Sequence, residues 1–178
     1  MKVIQLLLAT SFFINLTACT GNPALQRERQ NAQMVMEEFF SGNLTAHGIV
    51  KDWRGRVIRR FNANIVAYWE QGIGTLEEDF VFDDGETDRR VWKLQAMGAG
   101  QYEGTAGDVI GAGEITVTGD SVFLDYVLRI PYNESTLDLR VDDRMHLISP
   151  TVLLNESKLS KLGVQVGELV LVIQKKDL

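Results

Sequence analysis

The chain has 178 residues, a formal charge of −6, 45% hydrophobic and 24% charged residues, the profile of one ordinary globular domain rather than a disordered or collagen-like chain. Lys2 is the only charged residue of the first eighteen, so removing that segment takes the charge to −7, with 17 basic and 24 acidic residues left. This excludes a broadly basic nucleic-acid binder. One cysteine leaves no internal disulfide, and two histidines leave little for a His-rich metal site.

Behind Met1-Lys2 runs an apolar stretch from Val3 to Leu16, interrupted only by Gln5, Thr10, Ser11 and Asn15. A basic start, a short apolar core and small residues at its end form a secretory signal over residues 1–18. The stretch is shorter than the about 20 apolar residues that a membrane span needs. It ends in Leu16-Thr17-Ala18-Cys19, which resembles the lipobox of bacterial lipoproteins. The resemblance implies a diacylglycerol on the Cys19 sulfur, cleavage before that residue, and acylation of the new amino group. A lone thiol in a secreted chain needs explaining, and lipidation makes it an anchor. One acyl chain gives only marginal membrane binding, with K on the order of 10⁴ M⁻¹, and a second makes it stable. Thr20, where an aspartate would signal retention, implies the outer membrane, with the folded part in the periplasm.

Residues 19–24 read as a lipidated tether, and 25–178 as a single domain. A helix is expected over 25–40, where Leu25, Ala32, Val35, Met36, Phe39 and Phe40 share a face. Beyond Phe40 the apolar period changes from 3.6 to 2. Strands are expected at 44–53, 56–70, 75–82, 86–97, 101–110, 113–118, 122–130, 136–142, 145–154 and 165–175. Regular short strands without a linker or repeat predict an antiparallel up-and-down barrel of lipocalin or calycin type. A one-turn helix capped by Ser157 and ended by Gly163 completes the expected elements.

Two hairpins can be registered from their turns. Gly119-Asp120 suits a two-residue primed turn, which sets Val117 against Val122 and Ile115 against Leu124. Asp83-Asp84-Gly85 suits a three-residue loop that pairs Phe82 with Glu86, Glu78 with Arg90 and Leu76 with Trp92. The inward face of that hairpin is then Leu76, Phe80, Phe82, Trp92 and Leu94, interrupted by Glu78 and Arg90. By the same parity Arg59 shares a face with Phe61, Ala63, Ile65, Ala67 and Trp69. Asp143 shares one with Leu139, Val141, Met145 and Leu147, if no bulge intervenes. Buried charges must be paired or they cost several kcal/mol. These four either pair with one another or sit at strand ends, where they reach water.

No nucleophile elbow is present, and His47 and His146 stand a hundred residues apart without ligand spacing. No metal site, cofactor site or catalytic set is therefore expected. Several segments together carry a family resemblance: Phe39-Phe40-Ser41-Gly42, Asp84-Gly85-Glu86, Arg90-Val91-Trp92, Gly107-Asp108-Val109-Ile110-Gly111, Val141-Asp142-Asp143-Arg144-Met145 and Lys161-Leu162-Gly163-Val164. The chain resembles a family of small Gram-negative lipoproteins classed as a domain of unknown function, which implies a lipid ligand without an assigned activity. The Gly-x-Trp signature of true lipocalins is missing, so the barrel is an analogy of architecture.

The function these features point to is binding of a lipid or fatty-acid-like ligand in the barrel, tethered to the membrane through Cys19. Arg59 and Arg90 would attract a carboxylate or phosphate; Trp69, Phe80, Trp92 and Tyr126 would line the apolar part; Glu78 and Asp143 complete the candidate site. Two other readings compete. One is an enzyme acting on a lipid with Glu78 or Asp143 as acid or base. The other is an assembly module using an exposed strand edge or its acidic surface.

Overall fold

The computed structural model describes residues 33–176. The leader, Cys19 and the first part of the expected helix 25–40 lie outside the described residues. Within them, a single turn of helix α1 (Met36–Phe39) precedes ten strands. These are β1 (Gly42–Asp52), β2 (Val57–Glu70), β3 (Ile73–Phe82), β4 (Thr87–Gly98), β5 (Gln101–Thr105), β6 (Gly113–Thr118), β7 (Ser121–Tyr132), β8 (Ser135–Ser149), β9 (Val152–Lys161) and β10 (Val164–Lys175). Each strand pairs antiparallel with its sequence neighbours, and β1 pairs with β10 to close an up-and-down barrel. Closure through β1 and β10 leaves Thr87–Trp92 of β4 paired with β3 on one side and, among the described residues, with no strand on the other.

Both registered hairpins form as their turns dictate. Val117 faces Val122 and Ile115 faces Leu124 around Gly119, whose φ is +61°. Glu78 faces Arg90 and Leu76 faces Trp92, with Gly85 at φ +86° in the left-handed region that the three-residue loop requires.

Two expectations near the C-terminus fail for identifiable reasons. The one-turn helix expected from the Ser157 cap through Leu162 is absent: Ser157 to Lys161 lie in β9, because Glu156 and Lys158 point outward while Leu153, Asn155, Ser157 and Leu159 alternate inward. Gly163 has φ +80° beside Leu162 at +50°, the pair of positive angles of a type I′ hairpin turn rather than a helix C-terminus. The expected break at Asp143-Arg144 is also absent: β8 runs unbroken through both residues and turns at Pro150-Thr151.

One end of the barrel is plugged by residues 33–41. A one-turn helix leaves its terminal carbonyls without intrahelical partners, and here side chains from the barrel supply the donors. Trp69 Nε1 donates to Phe40 O at 2.9 Å, and Lys175 Nζ donates to Glu38 O at 2.6 Å. Tyr102 Oη donates to Glu37 Oε1 at 2.9 Å, and Met34 N donates to Gly119 O at 2.8 Å. Met34, Met36, Phe39 and Phe40 are buried by this closure.

Candidate functional site

In the half of the barrel next to the plug, Ile65, Leu76, Leu94, Ile115, Val122 and Ile173 are buried from solvent and face the interior space. Towards the other end the inward side chains Phe80, Phe82, Leu128, Leu159, Leu169 and Leu171 keep accessible surface. They surround a cavity of about 1000 Å³ that opens between the turns at that end. Interiors rarely leave voids larger than a water molecule. Ligand pockets run from about 300 to 1,000 Å³, so this volume belongs with them and not with packing defects.

A layer of polar side chains lies between the plugged half and the open half of the barrel. Strand parity turns Glu78 (β3), Arg90 (β4), Tyr126 (β7), Asp143 (β8), and Asn155 and Ser157 (β9) inward. Asp108 joins them from the β5–β6 loop. That loop folds along β7, with Ile110 N donating to Val127 O at 2.9 Å and Arg129 N donating to Asp108 O at 2.8 Å. The two bonds aim Asp108 back into the barrel. Gly104 and Gly113 face each other across β5 and β6, and their missing side chains seat the rings of this layer. A Cβ on Gly104 would lie 3.3 Å from Trp92 Cζ3, and one on Gly113 would lie 3.0 Å from Tyr126 Cβ. Trp92 and Tyr126 then meet edge to face at 5.4 Å.

The charges in this layer are unevenly satisfied. Arg90 holds Asp108 in a two-pronged ion pair, with Nε and Nη2 both donating to Oδ2 at 2.9 and 2.5 Å. Asp143 accepts from Asn155 Nδ2 and Ser157 Oγ at 2.5 and 2.7 Å. Burial nevertheless raises its pKa to about 6, because neutral donors offset only part of the lost hydration. Glu78 faces Arg90 across the strand pair but makes neither a hydrogen bond nor an ion pair with it. Its remaining accessible surface is turned to the cavity it lines. Burial pushes its pKa up to about 7; Arg90 opposes that rise, and Asp108 and Asp143 add to it. Tyr126 is driven upward for the same reasons, burial first.

At the mouth, Arg59 Nη2 donates to Asp84 Oδ1 at 3.0 Å and pairs with Glu86 at 2.5 Å. Its guanidinium carbon stands 3.5 Å above the Phe82 ring centre. This latch holds the β3–β4 turn against β2, and the arginine keeps the Asp84 carboxyl below the usual carboxylate range.

Of the residues singled out by sequence, Arg59, Glu78, Phe80, Arg90, Trp92, Tyr126 and Asp143 line the cavity. Trp69 does not. It lies at the plugged end, against Gly74 and edge to face with Tyr102 at 6.0 Å. The expected roles of Arg59 and Arg90 as free anion receptors also change, since protein carboxylates occupy both. Sequence reasoning missed Asp108, Asn155 and Ser157. Asp108 had a signal, the Gly107-to-Gly111 motif, but parity arguments do not reach into loops.

Outside the cavity, Ser121 Oγ donates to Asp120 Oδ1 at 2.7 Å and meets His146 Nδ1 at 2.9 Å. A catalytic relay would have the carboxylate orient the imidazole; here it binds the serine instead, leaving a cross-strand pair. His47 bonds Asn62 on the barrel exterior. Among the described residues no group of three carboxylate or imidazole side chains converges as a metal site would.

A closed antiparallel barrel with a cavity open at one end belongs to the lipocalin-like, or calycin, class of folds. Residues 13–175 match the model of DUF3833, described as a protein of unknown function, and the chain belongs to that family. Among curated proteins no sequence matches it. Two solved structures share the fold. One is the S-type phycobiliprotein lyase CPES from Guillardia theta, at 12% identity and a TM-score of 0.54, covering 85% of this chain and 98% of that one. The other is Rv2717c from M. tuberculosis, at 17% identity and a TM-score of 0.53, covering 88% and 99%. Identities this low carry the fold and nothing further.

Proposed function

We propose that the protein is a lipoprotein of the outer membrane, held there through Cys19, that binds a lipid or another small apolar ligand in its barrel. The observation that carries the binding is the cavity of about 1000 Å³. It combines the features of ligand sites: one opening, apolar walls and a few convergent polar groups with a perturbed pKa. The anchor rests on Leu16-Thr17-Ala18-Cys19 and the lone thiol. Among the described residues no helix is long and apolar enough to cross a membrane.

Filling the cavity tests the binding. Leu128 is half-buried on its wall, and Leu128→Trp should weaken binding of the neutral probe N-phenyl-1-naphthylamine about tenfold at unchanged melting temperature. Undiminished probe fluorescence in that variant would move the ligand out of the barrel. Native mass spectrometry of protein taken from its own membranes should show a co-purifying mass. The anchor is tested separately: Cys19→Ser should shift the protein from the membrane fraction to the soluble envelope fraction. Retention in the membrane would remove the lipid from Cys19.

A further inference from the structure

The cavity holds three arginines and five carboxylates on its lining: Arg59, Arg90 and Arg129 against Glu78, Glu86, Asp88, Asp108 and Asp143. Every arginine is already taken. Arg59 pairs with Asp84 and Glu86, Arg90 with Asp108, and Arg129 with Asp138. Among the described residues, each lining arginine is ion-paired with a carboxylate of the protein itself.

The carboxylates are not all taken. Glu78 has no polar partner and turns its remaining surface to the void. Asp143, its nearest companion without a cation, is held only by the neutral donors Asn155 and Ser157. A carboxylate or phosphate carried to this depth would meet like charge, which costs several kcal/mol when unscreened. A cation would meet the reverse. Phe80, Trp92 and Tyr126 line the same cavity, and the Phe80 and Trp92 rings already carry one cation on their faces, Arg90, at 5.8 and 6.0 Å.

We propose that the cavity selects an amphiphile whose polar end is an ammonium-type cation, received by Glu78 at the polar layer while its apolar body lies against the apolar walls of the cavity. The proposal rests on the cavity being the ligand site. It replaces the fatty-acid-like ligand expected from sequence, because that expectation needed Arg59 and Arg90 to be free.

Three probes of equal chain length separate the possibilities by calorimetric titration at pH 8.5, where Glu78 is ionised: decylamine, decanol and decanoate. The amine should bind about tenfold more tightly than the carboxylate, with the alcohol between them. Glu78→Gln, which keeps shape and removes charge, should reduce that preference to about threefold or less. Decanoate binding as tightly as decylamine would overturn the cation preference and leave the cavity as a ligand site. An amine preference that survives Glu78→Gln would overturn the role of Glu78. Failure of all three, decanol included, would overturn the cavity reading itself and this proposal with it.

Discussion

Glu78→Gln is expected to be more stable than the parent by about 3 kcal/mol at pH 8, and nearly equal to it at pH 4.5, in urea unfolding. Glu78 has its pKa raised from 4.5 to about 7 in the folded state, by burial above all. Between those values the unfolded chain has released its proton while the folded chain still holds it. The folded state therefore binds more protons across this window, and stability falls as pH rises through it, by about 1.4 kcal/mol for each pH unit crossed. Above pH 7 the loss is complete. Glutamine has no proton to lose, so its stability should not fall in this way. Equal or lower stability of the variant at pH 8 would show that Glu78 is hydrated rather than desolvated.

Asp108→Ala should act in the opposite sense and change the meaning of Glu78. Removing it leaves Arg90 charged without its two-pronged partner, with side-chain exposures of 21% for the arginine and 31% for the aspartate. Breaking a fully buried pair costs about 3–5 kcal/mol. An exposed pair contributes about 0–1 kcal/mol. A partly buried one should fall between, at about 2–3 kcal/mol. Glu78, opposite Arg90 in the strand pair, is then the nearest carboxylate able to compensate it. In the Asp108→Ala background the gain from Glu78→Gln should turn into a loss. A double-mutant cycle in urea at pH 8 reads this reversal directly. Strictly additive effects would mean that the three groups do not share one electrostatic site.

The barrel is legible in the sequence because strand faces obey a period of two, and a parity argument survives errors in strand boundaries. Asp143 illustrates this. Its face follows from Leu139, Val141, Met145 and Leu147, and that holds although a strand break is expected beside it and none occurs. Adjacent aspartates suggest a turn, yet Asp143 is seated by Asn155 and Ser157 while Asp142 pairs outward with Arg144 at 3.0 Å. Ser157 and Gly163 mislead because serine caps and positive-φ glycine serve helix ends and hairpins alike. The partner of Arg90 stays hidden for a different reason. Parity correctly places Glu78 opposite, but a loop with no period delivers Asp108 first. Trp69 shares the inward face as expected, and only the position of the plug along the barrel decides that it serves closure rather than the cavity.

The plug has a kinetic consequence. With one end sealed by residues 33–41, the chamber is a cul-de-sac. Anything inside must back out through the door by which it came. A newcomer cannot push a resident through from behind, so exchange is strictly one out, then one in. The dissociation rate should then be indifferent to how much competitor is added. Traffic through such a chamber is governed by how long each guest stays, not by how many are waiting.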